Sequence, residues 1–451
     1  MTDNDLLRRY GLFDAKVPRY TSYPPANHFV AGTGALHHRD FLAAVDADRP
    51  VSIYIHIPFC RRLCWFCACR TQGTRTMRPV EAYVDHVLEE IAQTRALLPE
   101  AVTMGRLHLG GGTPTILPPA AMDRLLDGIV AAFPTAAPFE FSVEIDPTDA
   151  APELLHLLVA SGMNRASIGV QDFAPQVQKA IGRPQSLAQT REVVDLLRDA
   201  GLRSLNIDLL YGLPYQTPAS FRGTLDRVVA MQPDRLAIFG YAHVPWMSKR
   251  QVVIPEAALP GPERRFALAG MAHAILTGAG WQAIGIDHFA RPTDTLAVAM
   301  AEGRVRRNFQ GYTDDDSPVL IGFGASAISR FPGGYVQNAV ATSAWQDRVA
   351  RGMPTGDKGY LLTPRDRVVS QMVEDLMCRF ALDPASLATQ FPGDATFIAA
   401  TLDRLAERFP LALEPERGVL RLRPAAQPLA RIMAHHIDAF ASARHGYSMA
   451  T

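Results

Sequence analysis

Short runs rich in β-branched and aromatic residues alternate with longer stretches of helical periodicity over most of the chain. Strand-like runs fall at residues 52–57, 106–109, 139–145, 165–170, 204–210, 235–241 and 282–286. Between the first two, Val80, Tyr83, Val84, Val87, Leu88 and Ile91 share one face at helical spacing. Glu81, Asp85, Glu89 and Glu90 then point to solvent. Leu196 to Ala200, followed by Gly201, predicts a helix ended by a glycine stop. Repeated strand–helix units require a parallel sheet with helical crossovers. Their number suits an open or closed (β/α) barrel. In residues 139–146 the apolar Phe139, Phe141, Val143 and Ile145 alternate with Glu140, Ser142, Glu144 and Asp146, so one strand face is polar and turns to a lumen or a site.

The pattern changes after about Gly356. Thr363-Pro364-Arg365-Asp366 reads as a helix start, with a capping threonine, a proline in the first turn and an acid three residues on. Val369, Met372, Val373, Leu376 and Met377 continue that helix. Two short apolar runs, 411–413 and 419–422, flank Glu414-Pro415-Glu416-Arg417-Gly418, a hairpin signal, and a last helix is predicted from about 429 to 440. The expected organisation is an N-terminal arm (1–40), a catalytic (β/α) domain with its extension (41–355) and a mostly helical, winged-helix-like cover (356–451).

Composition narrows the function classes. Lys plus Arg and Asp plus Glu both number 45, so the formal net charge is zero. There is no global polyelectrolyte signal for nucleic acid or an anionic membrane. No apolar run approaches the roughly 20 residues of a membrane helix, and the first residues lack a signal-peptide core. A cytoplasmic monomer with neither a nucleic-acid nor a membrane partner is expected. Four of the five cysteines lie within ten residues, and Cys378 stands apart. Clustered thiols in a reducing compartment read as metal ligands, whereas Cys378 reads as a small buried apolar residue.

Candidate chemistry gathers at strand ends. Cys60-x-x-x-Cys64-x-x-Cys67 follows the first strand, with Cys69 two residues on. Three thiolates can hold an iron–sulfur cubane with one iron left open to a small molecule, and closure by Cys69 is the competing reading. Gly110-Gly111-Gly112-Thr113-Pro114 follows the second strand. It reads either as a turn or as a place where backbone approaches a ligand closely, and it lacks the lysine of a P-loop. Glu144, Gln171, Asp172, Asp208, Tyr241-Ala242-His243 and Asp287-His288 end later strands. In (β/α) barrels such ends share one mouth. Glu144 and Asp208 read equally as solvated strand ends, Arg183 as a surface residue, and His56 as a packing group.

These motifs together resemble the radical S-adenosylmethionine (AdoMet) superfamily and, within it, the oxygen-independent coproporphyrinogen III oxidase (dehydrogenase) family. The resemblance runs over nearly the whole length. It rests on Arg19-Tyr20-Thr21-Ser22-Tyr23-Pro24, the cysteine motif with Cys69, and His108-Leu109-Gly110-Gly111-Gly112-Thr113-Pro114-Thr115. It continues through Ile168-Gly169-Val170-Gln171-Asp172-Phe173, Asn206 to Pro214, Asp287 to Pro292, Asn308-Phe309-Gln310-Gly311-Tyr312 and Gly324 to Ile328. It implies an α/β fold, a partial TIM-type (β/α) barrel of the radical AdoMet type. It implies that Cys60, Cys64 and Cys67 hold a [4Fe–4S] cluster whose open iron chelates AdoMet. Tyr54, Phe66, Gly111, Glu144 and Ile328 are the implied contacts of that AdoMet. Gly112, Thr113, Gln171, Arg183, Asp208 and Ala242 are those of a second. Cys69, with Tyr54 and Glu144, is implied at the catalytic centre, as a non-ligand.

The implied reaction turns two propionates of coproporphyrinogen III into vinyl groups by way of a 5′-deoxyadenosyl radical, in haem biosynthesis. An electron donor and an acceptor, both unidentified, are implied partners. The carboxylates call for cations, and Arg19, Arg291 and the cluster Arg304, Arg306 and Arg307 are candidates. Phe309 and Gln310 are further substrate candidates, as are His243 and His288 at the rim. A haem-binding chaperone of the same superfamily and a porphyrin-modifying radical methyltransferase are the alternatives. The Arg19–Pro24 arm and Cys69 favour the oxidase over the chaperone.

Overall fold

The computed structural model describes residues 2–441 and 446–451. Seven strands form its parallel centre, Leu320–Phe323 beside β1 and six in chain order: β1 (Val51–Ile57), β2 (Met104–Gly111), β3 (Thr135–Ile145), β4 (Arg165–Gln171), β5 (Ser204–Tyr211) and β6 (Arg235–Gly240). Every neighbouring pair is parallel. This is the expected partial barrel. The helix expected near 80–91 is Arg78–Arg95, and the one ending before Gly201 is Leu187–Asp199.

The two faces of these strands differ sharply. Ile53, Ile55, Ile57, Leu107, Leu109, Phe141, Val143, Ile168, Ile207 and Leu209 point outward beneath the helices and form one continuous core. The alternate positions turn inward and are polar: Tyr54, His108, Ser142, Glu144, Ser167, Asn206 and Asp208. Register sets Tyr54 beside His108, His108 beside Ser142, Glu144 beside Ser167 and Ser167 beside Asn206. The acidic face of residues 139–146 is therefore lumenal.

Three features depart from the sequence reading. Glu90, expected in solvent, is 2% exposed. Its carboxylate accepts from the Gly324 backbone N–H (2.7 Å) and the Asn338 side chain (2.8 Å), so a buried turn and a strand end supply the partners that periodicity cannot show. The run at 282–286 is not another barrel strand: Gln282–Ile284 pairs antiparallel with His288–Ala290, which runs antiparallel to β6. The boundary expected at 356 falls inside the sheet, because Gly356–Leu361 pairs with Gly334–Asn338 and with the two-residue strand Val30–Ala31. The helical region starts instead at Pro364–Arg379, with the capping box at Thr363 and Asp366 that its sequence predicts. The hairpin Leu413–Glu416 with Val419–Leu422 is present, and the last helix is Ala430–Ile437. Cys378 is buried in this region, as expected.

The two ends of the barrel are unlike. At the N-terminal end, Arg235 pairs with Asp294 (2.5 Å) and Arg106 with Glu140 and Asp314 (3.1 and 3.0 Å), an ionic floor buried at Arg235 and partly open at Arg106. At the other end lie the cysteine loop, the N-terminal arm and residues 446–451.

Candidate active site

The glycine-rich turn after β2 is built against the cysteine strand. Gly112 N–H donates to the Ile57 carbonyl (2.8 Å) and Thr113 N–H to the Phe59 carbonyl (2.9 Å). Gly111 has φ +108°, open to glycine at little cost, and a Cβ there would land on the His56 ring. A Cβ on Gly112 would lie 2.6 Å from the Phe59 carbonyl oxygen, and one on Gly110 2.7 Å from the Glu144 carboxylate. The three glycines are thus demanded first by the protein's own neighbours: backbone at Gly112, and the His56 and Glu144 side chains at Gly111 and Gly110.

Within the lumen, ring and carboxylate partners determine one another. His56 Nε2 lies 3.0 Å from the Arg70 carbonyl, which can only accept, so that nitrogen carries the proton. Its Nδ1 then accepts from the Tyr54 hydroxyl at 2.9 Å. Burial lowers the His56 pKa, which keeps the ring neutral. Tyr54 stacks on His108, with centroids 5.7 Å apart. His108 Nε2 donates to Glu144 at 3.2 Å, and its Nδ1 meets the Ser142 hydroxyl. The other Glu144 oxygen accepts from Gly111 N–H at 3.0 Å. Burial pushes the Glu144 pKa up, but the His108 and Gly111 donors outweigh it, so the group stays an anion. Across the lumen Asp208 accepts from Asn206 (2.7 Å) and Ser167 (3.0 Å), and burial raises its pKa.

The cysteine loop is tied down from three sides. Arg183 donates to Cys64 Sγ (3.4 Å) and to the Gly169 carbonyl (2.8 Å), and pairs with Asp146 (3.1 Å). Trp65 N–H donates to the Ile181 carbonyl, and its ring fills the space above Gly182. From the third side, Ser248 donates to the Cys67 carbonyl (2.9 Å), and Gln251 to the carbonyls of Phe66 (2.6 Å) and Ala242 (3.1 Å). Thr113 hydrogen-bonds the Cys60 side chain, and the Cys69 N–H lies 3.4 Å from Cys67 Sγ.

The donor set fits an iron–sulfur cluster. Cys64 and Cys67 lie near enough to raise the Cys60 pKa, so the three thiols share one place, and a cluster takes each thiolate on a separate iron. Burial raises the Cys60 and Cys64 thiols, Cys60 to about 11, whereas the hydrogen bond from Cys69 holds Cys67 down at about 6. Loading therefore has protons to release, as thiolate ligation does.

The structure brings most of the sequence candidates to this one rim. Gln171 ends β4 with φ +69°. Ala242 follows β6 and is tied to Phe66 through Gln251. Ile328 starts the strand Ile328–Phe331, and its carbonyl packs on Gly322, the register neighbour of Tyr54. Arg19 reaches the end of β6, donating to the Gly240 carbonyl at 2.6 Å. Phe309 and Gln310 form the exposed tip of the hairpin joining Arg306–Asn308 to Gly311–Thr313. The Tyr241 hydroxyl hydrogen-bonds His243, and His288 bonds Asp287 at 2.8 Å. Asp172 is a buried anchor for Gln216 and Thr224.

Arg291 is not brought there. It lies at the opposite end, where its N–H donates to the Asp234 carbonyl just before β6 and its guanidinium covers Trp281 at 3.6 Å. The turn at 285–287 reverses the chain, so the strand His288–Ala290 runs back along β6 and carries Arg291 to that end, which the reading of a parallel strand missed. The arginine cluster also divides. Arg304 pairs with Glu302 and Arg306 with Glu374 (2.7 Å), while Arg307 turns inward, its side chain 6% exposed. Among the described residues its Nε and Nη1 have no hydrogen-bond partner, and Asp287 is 3.7 Å away. Ser142, Ser167, Asn206, His108, Gln251 and Arg431 complete the site. Sequence placed Ser142 on the polar strand face and His108 and Asn206 within motifs, with no role given, and passed over Ser167, which the alternation of β3 extended to its neighbours would have found. Nothing in the sequence marks Gln251 or Arg431.

Comparison with known proteins is decisive about kinship. Residues 54–228 match the model of the radical SAM superfamily. An oxygen-independent coproporphyrinogen III oxidase of Paracoccus denitrificans (strain Pd 1222) is 47% identical over 450 residues, covering 100% of both chains. The chain belongs to the oxygen-independent coproporphyrinogen III oxidase family. The family member of Escherichia coli (strain K12) is 42% identical over 376 residues, 83% of this chain and 81% of its own. The solved structure of coproporphyrinogen III oxidase (HemN) from Escherichia coli, a radical SAM enzyme, superposes with a TM-score of 0.89 at 36% identity. It covers 94% of this chain and 100% of that one. A [4Fe–4S] cluster and AdoMet are the cofactors of this oxidase family. No described helix is long and apolar enough to cross a membrane.

Proposed function

We propose that this chain oxidatively decarboxylates two propionates of coproporphyrinogen III to vinyl groups without oxygen, giving protoporphyrinogen IX in haem biosynthesis. The full-length likeness to oxygen-independent coproporphyrinogen III oxidases carries the reading, and three thiols on the rim of a polar lumen support it. Bound together, the cluster and AdoMet supply a carbon-centred radical able to take hydrogen from an unactivated C–H bond.

The chain's residues hold, aim and exclude. Cys60, Cys64 and Cys67 are the ligands, and Cys69 stays outside the coordination as a donor to Cys67. Glu144, an anion open to the lumen with two donors already fixed, accepts hydrogen bonds from the first AdoMet. Tyr54, Phe66, Gly111 and Ile328 line the same place. Gly112, Thr113, Gln171, Arg183, Asp208 and Ala242 hold a second AdoMet. For the substrate carboxylates the support is an excess of buried positive charge. Arg19, Arg307 and Arg431 lie close enough to perturb one another, with Asp287 the carboxylate among them. Burial and the other two arginines bring Arg431 down to about 10. Arg431 is otherwise satisfied by the carbonyls of Val17 (2.7 Å) and Pro18 (3.1 Å). A propionate would supply the missing anion and give Arg307 its partners. Phe309 and Gln310 cap the substrate from the hairpin that carries Arg307. The N-terminal arm and the helical region from 364 onward act as the cover. On this reading the enzyme is a cytoplasmic monomer, and external carriers supply and remove electrons.

The test is anaerobic reconstitution with iron and sulfide, then incubation with AdoMet, a reductant and coproporphyrinogen III. Protoporphyrinogen IX and 5′-deoxyadenosine should both form. A methylated porphyrin, or tight haem binding without CO2 release, would replace this reading.

A further inference from the structure

The turn Lys249–Val253 is inside out. Its glutamine, Gln251, is completely buried, while Val252 is 71% and Val253 55% exposed. Apolar side chains left open beside a buried polar one mark a surface that another molecule covers. Met247, at 63% exposure, precedes this turn, and Leu63 and Trp65 of the cysteine loop are also exposed. These segments form one surface, because Ser248 and Gln251 bond the backbone of Cys67 and Phe66.

The chain is neutral overall, yet this face is basic. Arg62, Arg70 and Lys249 are exposed and make no ion pair among the described residues. An apolar centre with an unpaired basic rim complements an acidic partner. The surface also lies directly over the cysteine loop, joined to it by the two hydrogen bonds from Ser248 and Gln251.

We propose that this face, centred on Val252 and Val253 and rimmed by Lys249, Arg62 and Arg70, docks an acidic one-electron carrier protein that reduces the cluster. The step is one electron: the carrier is oxidised by one equivalent and the iron–sulfur centre takes that electron, with no atom or proton exchanged. The inference rests on Cys60, Cys64 and Cys67 being the cluster ligands, as proposed above.

The experiment uses the cluster-loaded full chain and an acidic flavodoxin as probe, with Lys249→Glu and Val252→Asp variants. Binding of oxidised flavodoxin is titrated at low and high salt. Cluster reduction by reduced flavodoxin and by dithionite is followed in the same samples, with iron and sulfide counted in each. The expected result is binding that weakens with salt, about tenfold weaker in either variant, and carrier-driven reduction slowed while dithionite reduction and cluster content hold. Unchanged flavodoxin binding in both variants overturns the proposal. So does equal loss of dithionite reduction, patch-dependent dimerisation in sedimentation, or patch-dependent binding to anionic vesicles in place of the carrier. Failure to load any [4Fe–4S] cluster overturns the ligand assignment itself and is seen separately in the iron count.

Discussion

Glu144 is gripped from two sides before any ligand arrives, by His108 Nε2 and by Gly111 N–H. It therefore presents a fixed negative charge at the foot of the glycine turn. Replacing it with glutamine keeps the shape, removes the charge and turns one acceptor into a donor facing Gly111 or His108. A charge-assisted hydrogen bond is worth about 1.5–3 kcal/mol, so Glu144→Gln should weaken AdoMet binding roughly tenfold to a hundredfold. Iron content should stay intact, since among the described residues Glu144 hydrogen-bonds His108 and Gly111 and none of the three proposed ligand cysteines. Equilibrium dialysis of AdoMet against the reconstituted variant measures this, and unchanged affinity would remove Glu144 from the cofactor site. The arginines offer a paired comparison. Arg307→Ala should raise the KM for coproporphyrinogen III by about tenfold or more, with cluster and AdoMet binding retained. Arg291→Ala, at the far end of the barrel, should leave that KM where it was. Steady-state kinetics on the two variants checks both. Sequence made both arginines candidates, because a guanidinium declares its chemistry. It did not declare its direction, which depends on a chain reversal between antiparallel strands.

At the scale of elements, the helix Arg78–Arg95 illustrates what periodicity can and cannot convey. Val80, Tyr83, Val84, Val87 and Ile91 are buried as their spacing requires. Glu90 is buried beside them, because a turn and a strand end more than two hundred residues away present Gly324 N–H and the Asn338 side chain. That pairing is non-local, and no local pattern encodes it. The consequence is measurable. Burial lifts the Glu90 pKa from 4.5 to about 7, against the lowering effect of its hydrogen bonds. The folded state thus holds a proton that the unfolded chain releases between those two values. Stability from this group is fully present below pH 4.5, falls as pH rises toward 7, and is flat beyond. The difference is roughly 3 kcal/mol. Urea unfolding at pH 5 and pH 7.5 should show that loss in the native chain and a much smaller one in Glu90→Gln, which carries no titratable group there. Equal pH dependence in the two would contradict the burial argument. The parallel strands were legible for the opposite reason, since each is specified by its own residues and flanked by its own helix. The cysteine motif and the glycine turn were legible too, being local. Gln251, which holds the cysteine loop through backbone carbonyls, was not, for its role exists only once two distant segments meet.

For the whole molecule, the arm and the helical region behave as one body. Leu7, Leu12, Phe13, Tyr20 and Tyr23 of the arm are buried in the same core as Val369, Met372, Leu376 and Met433. The contacts are polar as well as apolar: the Tyr20 hydroxyl donates to Asp438 at 2.8 Å, and Arg431 holds the carbonyls of Val17 and Pro18. An arm treated as a separate segment has no core of its own to fold around, and its apolar residues are too few to form one. The region proposed as the cover is therefore assembled from the arm and the helical segments together, and Arg19 and Arg431, two arginines of the proposed substrate cluster, sit at that junction. Disturbing the junction should loosen the cover and weaken substrate binding together, while sparing the barrel. Deleting residues 1–24 should make the region from 364 to 441 sensitive to trypsin and abolish the grip on coproporphyrinogen III. The cluster should still load, because none of its ligands or their supports lies in the deleted stretch. A milder variant, Tyr20→Phe, leaves the buried Asp438 carboxylate short of one donor at a cost of about 1–3 kcal/mol. It should show the same ordering, with faster cleavage beyond 364 and unchanged iron content. Limited proteolysis with mass spectrometry, run beside iron analysis, distinguishes the cases. If the truncated chain kept its helical region protected, the two ends would have to be independently stable. The shared core would then contribute packing without being needed for the fold of either.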